Sequence, residues 1–263
     1  MDTGVLSRKE NRLIVRWYSI FNSLNSIFSY NVKFLNLGYS SILETEREML
    51  RPEDKTNDLT ERQTLLYLLL LKNMDTQPKH VAEIGCGVGG GAGVLNKYYY
   101  PLSYTGFDAN QQFIQKCTVE KGNEKTTFHQ LDCIRFIELN RTYDAIICLE
   151  ASLHFDDIEI FFSNVSASLK TNGRFYYGDI FRNDNADNTE SILKKKGLKL
   201  VNRRDITENV IRSISATGSA SSFQRMLHRI FLDKGNLTFN VDSSMFRKLQ
   251  NGELTYLLYE FSK

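Results

Sequence analysis

Residues 11–30 (NRLIVRWYSIFNSLNSIFSY) place Ile14, Trp17, Ile20, Phe21, Leu24 and Phe28 three and four positions apart. That spacing lines one helix face and predicts an amphipathic helix. The loop NVKFLNLGYS follows, and Thr60-Glu-Arg-Gln63 reads as a capping box opening a second helix through about Lys72. From His80 the pattern changes to short apolar runs: HVAEIG (80–85), SYTGFD (103–108), TTFHQL (126–131), YDAIICLE (143–150) and GRFYYGDI (173–180). Helical patterns separate them, including 157–169 with its apolar Ile158, Ile160, Phe161, Phe162, Val165 and Leu169. Further on, Asp187 with Glu190 is expected to cap a helix running through Lys194, Lys195 and Lys196. LKLVNRRDI (198–206) predicts a strand, 207–251 several helices, and LTYLLYEFS (254–262) a final strand. Strands alternating with helices indicate βαβ units, hence an open, doubly wound α/β sheet. Its seven strands are expected to be mostly parallel, with the last antiparallel at or near the edge. The boundaries expected are an N-terminal helical cap region (1–75), an α/β core (76–206), a helical lid insertion (207–251) and the core's final strand (252–263).

Composition narrows the class. The chain has 263 residues, 41% hydrophobic and 24% charged, with a formal charge of +2. These are globular values, and near-neutrality argues against nucleic acid as a partner. Cys86, Cys117, Cys133 and Cys148 show no CxxC spacing, so neither a zinc ribbon nor a disulfide framework is expected. The apolar run Leu65 to Leu71 is far shorter than the ~20 residues of a membrane span, and the N-terminus carries charges where a leader needs an apolar core. A soluble, cytoplasmic protein is expected, monomer or homodimer, with membrane contact at most peripheral.

The densest chemistry is VAEIGCGVGGGAGVL (81–95), a strand running through a glycine turn into a helix. Gly85, Gly87 and Gly89 supply a tight turn and a bare backbone against which a ligand can approach a helix N-terminus. The glycines alone are ambiguous, because Gly85-x-Gly87-x-x-Gly90 also satisfies the dinucleotide fingerprint. Glu83 separates the readings: its charge would repel a pyrophosphate and attract a cationic amino-acid ligand. Asp108 ends the second strand, 19 residues after Gly89, where a carboxylate can hold both ribose hydroxyls, or simply cap a helix. Asp132 follows the third strand and could accept from an adenine amino group, or cap the helix beginning at Cys133.

Glu83-x-Gly85-x-Gly87-x-Gly89, Asp108, Asp132 and the strand YDAIICLE together resemble class I S-adenosylmethionine-dependent methyltransferases over about 80–182. Asn36-Leu-Gly38-Tyr39, Glu150-Ala-Ser-Leu-His154 and Asp205-Ile-Thr-Glu-Asn209-Val are similar to segments of the small-molecule branch, which includes sterol, tocopherol and natural-product O- and C-methyltransferases. The resemblance implies a Rossmann-like fold with S-adenosyl-L-methionine as cofactor. It implies that Glu83 and the Gly85-Cys86-Gly87 to Gly89 turn hold the methionine part, Asp108 and Ala109 the ribose, Asp132 and Cys133 the adenine edge. Leu149 and Glu150 would floor the site, and Tyr39 would close over the methionine end. Two positions depart from the family pattern: Phe113 replaces a common glutamine, and His154-Phe155-Asp156-Asp157 replaces the usual His-Met-Pro-Asp.

Methyl transfer is a direct displacement in which alignment supplies much of the acceleration, and a hydroxyl acceptor must also lose a proton. His154, just past the fourth strand, is the candidate base. Asp179 ends the neighbouring strand and could orient an imidazole; both residues could equally be structural. A metal site from His154, Asp156 and Asp157 lacks a second histidine nearby and is not expected. Cys86 reads as a small residue in the turn, not a nucleophile. O-methylation leads because a base is present; C-methylation of a prenyl or sterol-like acceptor and N-methylation of a lipid head group follow. A non-catalytic cofactor-binding module is the reading from another class, disfavoured by the intact Glu83, Asp108 and glycine turn. A nicotinamide dehydrogenase is disfavoured by Glu83.

The charge is also uneven. Residues 194–234 hold ten Lys/Arg against three acids, a net +7, leaving −5 on the rest. This is either a solvated face or a surface drawn to an anionic acceptor or membrane leaflet.

Overall fold

The structure, a computed structural model, describes residues 33–56, 58–75, 77, 79–132, 135–136, 141–182, 186–217 and 244–263. The helix expected over 11–30, Cys133 and 218–243 of the expected lid lie outside the described residues.

After a single turn at Glu44–Arg47, helix α1 (Leu59–Leu70) leads into β1 (His80–Ile84). Then come α2 (Gly90–Tyr98), β2 (Ser103–Asp108), α3 (Gln111–Lys121), β3 (Thr126–Gln130) and β4 (Tyr143–Leu149). A 3-10 turn (Ser152–His154) precedes α4 (Ile158–Ser168) and β5 (Leu169–Arg182). The chain closes with α5 (Ala186–Lys195), β6 (Lys199–Asp205), α6 (Thr207–Thr217), α7 (Ser244–Gln250) and β7 (Leu254–Ser262).

The sheet order is β3-β2-β1-β4-β5-β7-β6. Strands β1 to β5 pair in parallel, and β7 runs antiparallel between β5 and β6. The seven-stranded, doubly wound expectation holds, with the antiparallel strand one place in from the edge. The strand order reverses between β1 and β4, and an open α/β sheet has its binding crevice beyond the carboxyl ends of the strands at such a switch point.

Three local expectations are corrected. The cap of α1 is Asp58, which accepts the N–H of Glu61 at 3.0 Å, so Thr60 is already inside the first turn and the helix stops at Leu70. A carboxylate there meets an orphan N–H and the helix dipole together. Strand β5 begins at Leu169, ahead of the expected 173, because Thr171-Asn172-Gly173 is absorbed as a bulge. Asn172 takes φ +63°, and the register jumps between Tyr143↔Leu169 and Ala145↔Arg174. Asp187 lies within the first turn of α5 instead of capping it, and pairs with Arg203 at 3.0 Å.

The strands alternate between two cores. Val81, Ala145 and Ile147 pack with Leu65, Leu66 and Leu69 of α1, with Leu95 of α2 and with Val210 of α6. Ala82, Ile84, Ile146 and Cys148 face Phe161, Phe162 and Phe175. By the same alternation Glu83 shares the face of Val81, under α1 and α2. Three cations of the basic run pair with acids from outside it: Lys194 with Glu190 (2.7 Å), Arg203 with Asp187, and Arg204 with Glu46 (2.6 Å).

Candidate active site at the carboxyl ends of β1, β2 and β4

Gly85, Gly87 and Gly89 adopt φ of +76°, +52° and +77°, the left-handed region that favours glycine. At Gly85 a Cβ would stand 2.2 Å from that of Ala151, so the turn passes the end of β4 only without a side chain. Backbone bonds close the turn: Gly85 and Cys86 N–H groups both donate to Phe107 O, at 2.8 and 2.9 Å. Asp108 accepts the Gly87 N–H and the Asn110 N–H, each at 2.9 Å. The acid expected at the ribose is thus fixed by the turn expected to hold the cofactor. Cys86 is buried within the turn, and a Cβ on Gly106 would come within 2.9 Å of its sulfur.

Glu83 supports this turn from beneath. It is fully buried, accepts Tyr67 Oη at 2.7 Å and is also bonded by Tyr104 Oη. Burial pushes its carboxyl up to about 7, against the lowering effect of the two tyrosines. A Cβ on Gly91 would lie 2.2 Å from its Oε2, so the glycines of α2 make room for this carboxyl as well as for a ligand.

Leu149 is buried at the end of β4, and Glu150 follows with φ +54°, a left-handed conformation in a residue with a Cβ. Its carboxylate accepts the Leu37 N–H and Tyr256 Oη (2.7 Å), and burial pushes it up to about 8. Leu37 belongs to a strap over 33–39 that crosses the glycine turn. Leu35 Cδ1 would lie 3.0 Å from a Gly87 Cβ, and Phe34 is packed against Gly90. Gln63 Nε2 donates to Asn36 O at 2.6 Å, and Ser213 Oγ to Leu37 O at 2.8 Å. Tyr39, at the strap's far end, is buried, and its hydroxyl donates to Glu46 (2.7 Å) and accepts from Arg204 (3.1 Å).

His154 ends the 3-10 turn after β4, and burial lowers it to about 4, so it is neutral at ordinary pH. Asp179 on β5 is fully buried, and burial raises it to about 6. Its carboxylate accepts Ser152 N–H (3.0 Å), Ser152 Oγ (2.5 Å) and Ile180 N–H (2.8 Å), so it engages the start of the turn whose last residue is His154. Ala109 and Asp132 are exposed beyond β2 and β3, and Phe113 is buried on α3.

Asp108, Glu150 and His154 share one trait: each keeps some solvent exposure although protein burial dominates its ionisation. Together they mark one site at the carboxyl ends of β2 and β4. S-adenosyl-L-methionine fits it on chemical grounds, with a turn free of side chains, a carboxylate one strand over, and a second carboxyl that an incoming cation would ionise. Among the described residues no group of three His, Cys, Asp or Glu is placed to hold a metal ion, and no helix is long and apolar enough to cross a membrane.

Sequence reasoning missed Tyr67, Tyr104, Tyr256 and Ser152, which satisfy the buried carboxylates, and Tyr177, whose hydroxyl meets Ser152. The one signal was Tyr67 inside the run LLYLLLL, where a hydroxyl in an apolar helix demands a polar partner.

Comparison with known proteins agrees. A family model described as "Methyltransferase domain" matches residues 82–175. The chain is 25% identical over 258 residues to a phthiotriol/phenolphthiotriol dimycocerosates methyltransferase of Mycobacterium leprae (strain TN), covering 94% of this chain and 90% of the relative. It is 29% identical over 184 residues to a fatty-acid O-methyltransferase of Mycolicibacterium smegmatis (strain ATCC 700084 / mc(2)155), covering 70% and 66%. Among solved structures, StiE O-MT superposes with a TM-score of 0.68 at 20% identity, covering 89% of this chain and 88% of that one. The glycine turn, Asp108 beside it and this fold agree with a methyltransferase domain over residues 82–175, on the Rossmann-like fold of S-adenosylmethionine-dependent methyltransferases.

Proposed function

We propose that this methyltransferase acts on an oxygen of a small, apolar acceptor, with His154 receiving the proton. The observation that carries the reading is a neutral, half-buried imidazole at the same carboxyl end of the sheet as the glycine turn, Asp108 and Glu150. The cofactor, when bound, supplies an electrophilic methyl group. The turn from Gly85 through Gly89 and Glu83 beneath it would seat the methionine part, Asp108 and Ala109 the ribose, Asp132 and Cys133 the adenine edge, and Leu149 and Glu150 the floor. Tyr39 would act by anchoring the strap, since its hydroxyl is committed to Glu46 and Arg204.

An acceptor hydroxyl becomes strongly acidic as its oxygen is alkylated, so a base weakened by burial still takes its proton. A neutral imidazole also accepts a hydrogen bond beforehand and aims the oxygen lone pair. Lipid-type acceptors are favoured by the names of the relatives and by the apolar strap residues Phe34 and Leu35 over the turn. The test is methyl transfer from labelled cofactor to long-chain alcohols, phenols, fatty acids, prenyl chains and amines, with products identified by mass spectrometry. An O-methyl ether or ester is expected. A product methylated only on carbon or nitrogen contradicts the reading.

A further inference from the structure

We propose that Asp179, Ser152 and Tyr177 form a positioning relay that sets His154 through the backbone of the turn on which it stands. The inference rests on the reading of His154 as proton acceptor.

A short helix begins with N–H groups that have no partner within it. In the Ser152–His154 turn these are met from outside, by a carboxylate 27 positions later on the next strand. Asp179 accepts Ser152 N–H at 3.0 Å and Ser152 Oγ at 2.5 Å, and the Leu153 N–H also bonds it. Ser152 Oγ meets Tyr177 Oη at 2.6 Å. The serine has one proton, given to the ionised Asp179, so the tyrosine donates to the serine.

Each member is rigid. Asp179 sits opposite Leu257 in the β5–β7 ladder, and Glu150 N–H donates to Gly178 O at 2.8 Å, which joins the end of β4 to β5 just before the turn. The Tyr177 ring lies 5.4 Å from that of Phe175 and 5.7 Å from that of Phe162, which holds its hydroxyl in place. A fully buried carboxylate is unfavourable unless hydrogen-bonded, and here three of its bonds converge on two residues, Ser152 and Leu153. His154 follows within the same turn, so its height above the sheet is set by β5. Displacing a reacting group by about 1 Å can lower a rate on the order of a hundredfold, which is the leverage such a relay has.

The test compares Ser152→Ala, Tyr177→Phe and Asp179→Asn, alone and combined with His154→Ala, using a hydroxyl acceptor that the wild type methylates. Cofactor affinity by calorimetry and the melting temperature report whether each variant folds. The single variants should lose roughly tenfold to a hundredfold in kcat with KM little changed. In the His154→Ala background each should add less than about twofold, because the relay acts only through His154. Should Asp179→Asn fail to fold, the two milder variants decide the matter. Wild-type kcat in the relay variants, or losses fully additive to that of His154→Ala, would overturn the inference while leaving His154 in its role. Full activity in His154→Ala itself would overturn both.

Discussion

Glu150 accepts the N–H of Leu37 with both carboxylate oxygens, at 3.0 and 3.1 Å, across 113 positions of sequence. The contact closes the strap over the glycine turn, and Tyr256 of β7 steadies the same carboxylate. One residue in a left-handed conformation therefore joins the strap, the end of β4 and the antiparallel strand beside the glycine turn.

Removing this carboxylate should release the strap. Leaving a buried donor without its partner costs about 1–3 kcal/mol, so Glu150→Ala should raise the cofactor Kd roughly fivefold to a hundredfold. Glu150→Gln retains a carbonyl oxygen for Leu37 and should lie between the two. Calorimetric titration with the cofactor checks both.

Stability should fall as pH rises from about 6.5 to about 8 in the cofactor-free protein. Glu83 and Glu150 titrate near 7 and 8 when folded, against an ordinary 4.5, so in this window the folded chain holds more protons than the unfolded one. His154, lowered to about 4, opposes this trend only at more acidic pH, because above its ordinary 6.5 it is largely neutral in both states. Thermal melting across the window should show the decline. Glu150→Gln should flatten it, and a melting temperature that climbs with pH would contradict the assignment.

Two glycines of α2 should respond oppositely to alanine. At Gly91 the new Cβ would lie 2.2 to 2.6 Å from the Glu83 carboxyl, a clash that should cost about 1–3 kcal/mol. At Gly93 nothing lies within 4 Å, and alanine should stabilise the helix by roughly 1 kcal/mol. Denaturant titration of the two variants separates a cradle for Glu83 from glycine content in general.

The sheet was legible because period and punctuation agreed. SYTGFD and LTYLLYEFS are β2 and β7 to the residue, and the glycine turn lies where the pattern changes. What escaped was everything decided by a partner far along the chain. Thr60 reads as a cap until Asp58 takes the Glu61 N–H, and the fifth strand reads as starting at 173 until pairing with β4 carries it back to Leu169. Asp179 was singled out as a neighbour for His154, yet it engages Ser152, because strand alternation and register, not chain order, decide where a carboxylate points. Likewise three cations of the basic run, Lys194, Arg203 and Arg204, meet Glu190, Asp187 and Glu46, none of which lies within it.

The proposed reaction is methyl transfer to oxygen with His154 as proton acceptor. Its most direct test is single-turnover transfer from methyl-labelled cofactor to a long-chain alcohol, in the wild type and in His154→Ala at matched cofactor saturation. The label should appear as an O-methyl ether, and the variant should bind cofactor normally while transferring at least about a hundredfold more slowly. Equal rates in the two proteins, or label found on carbon or nitrogen, would contradict it.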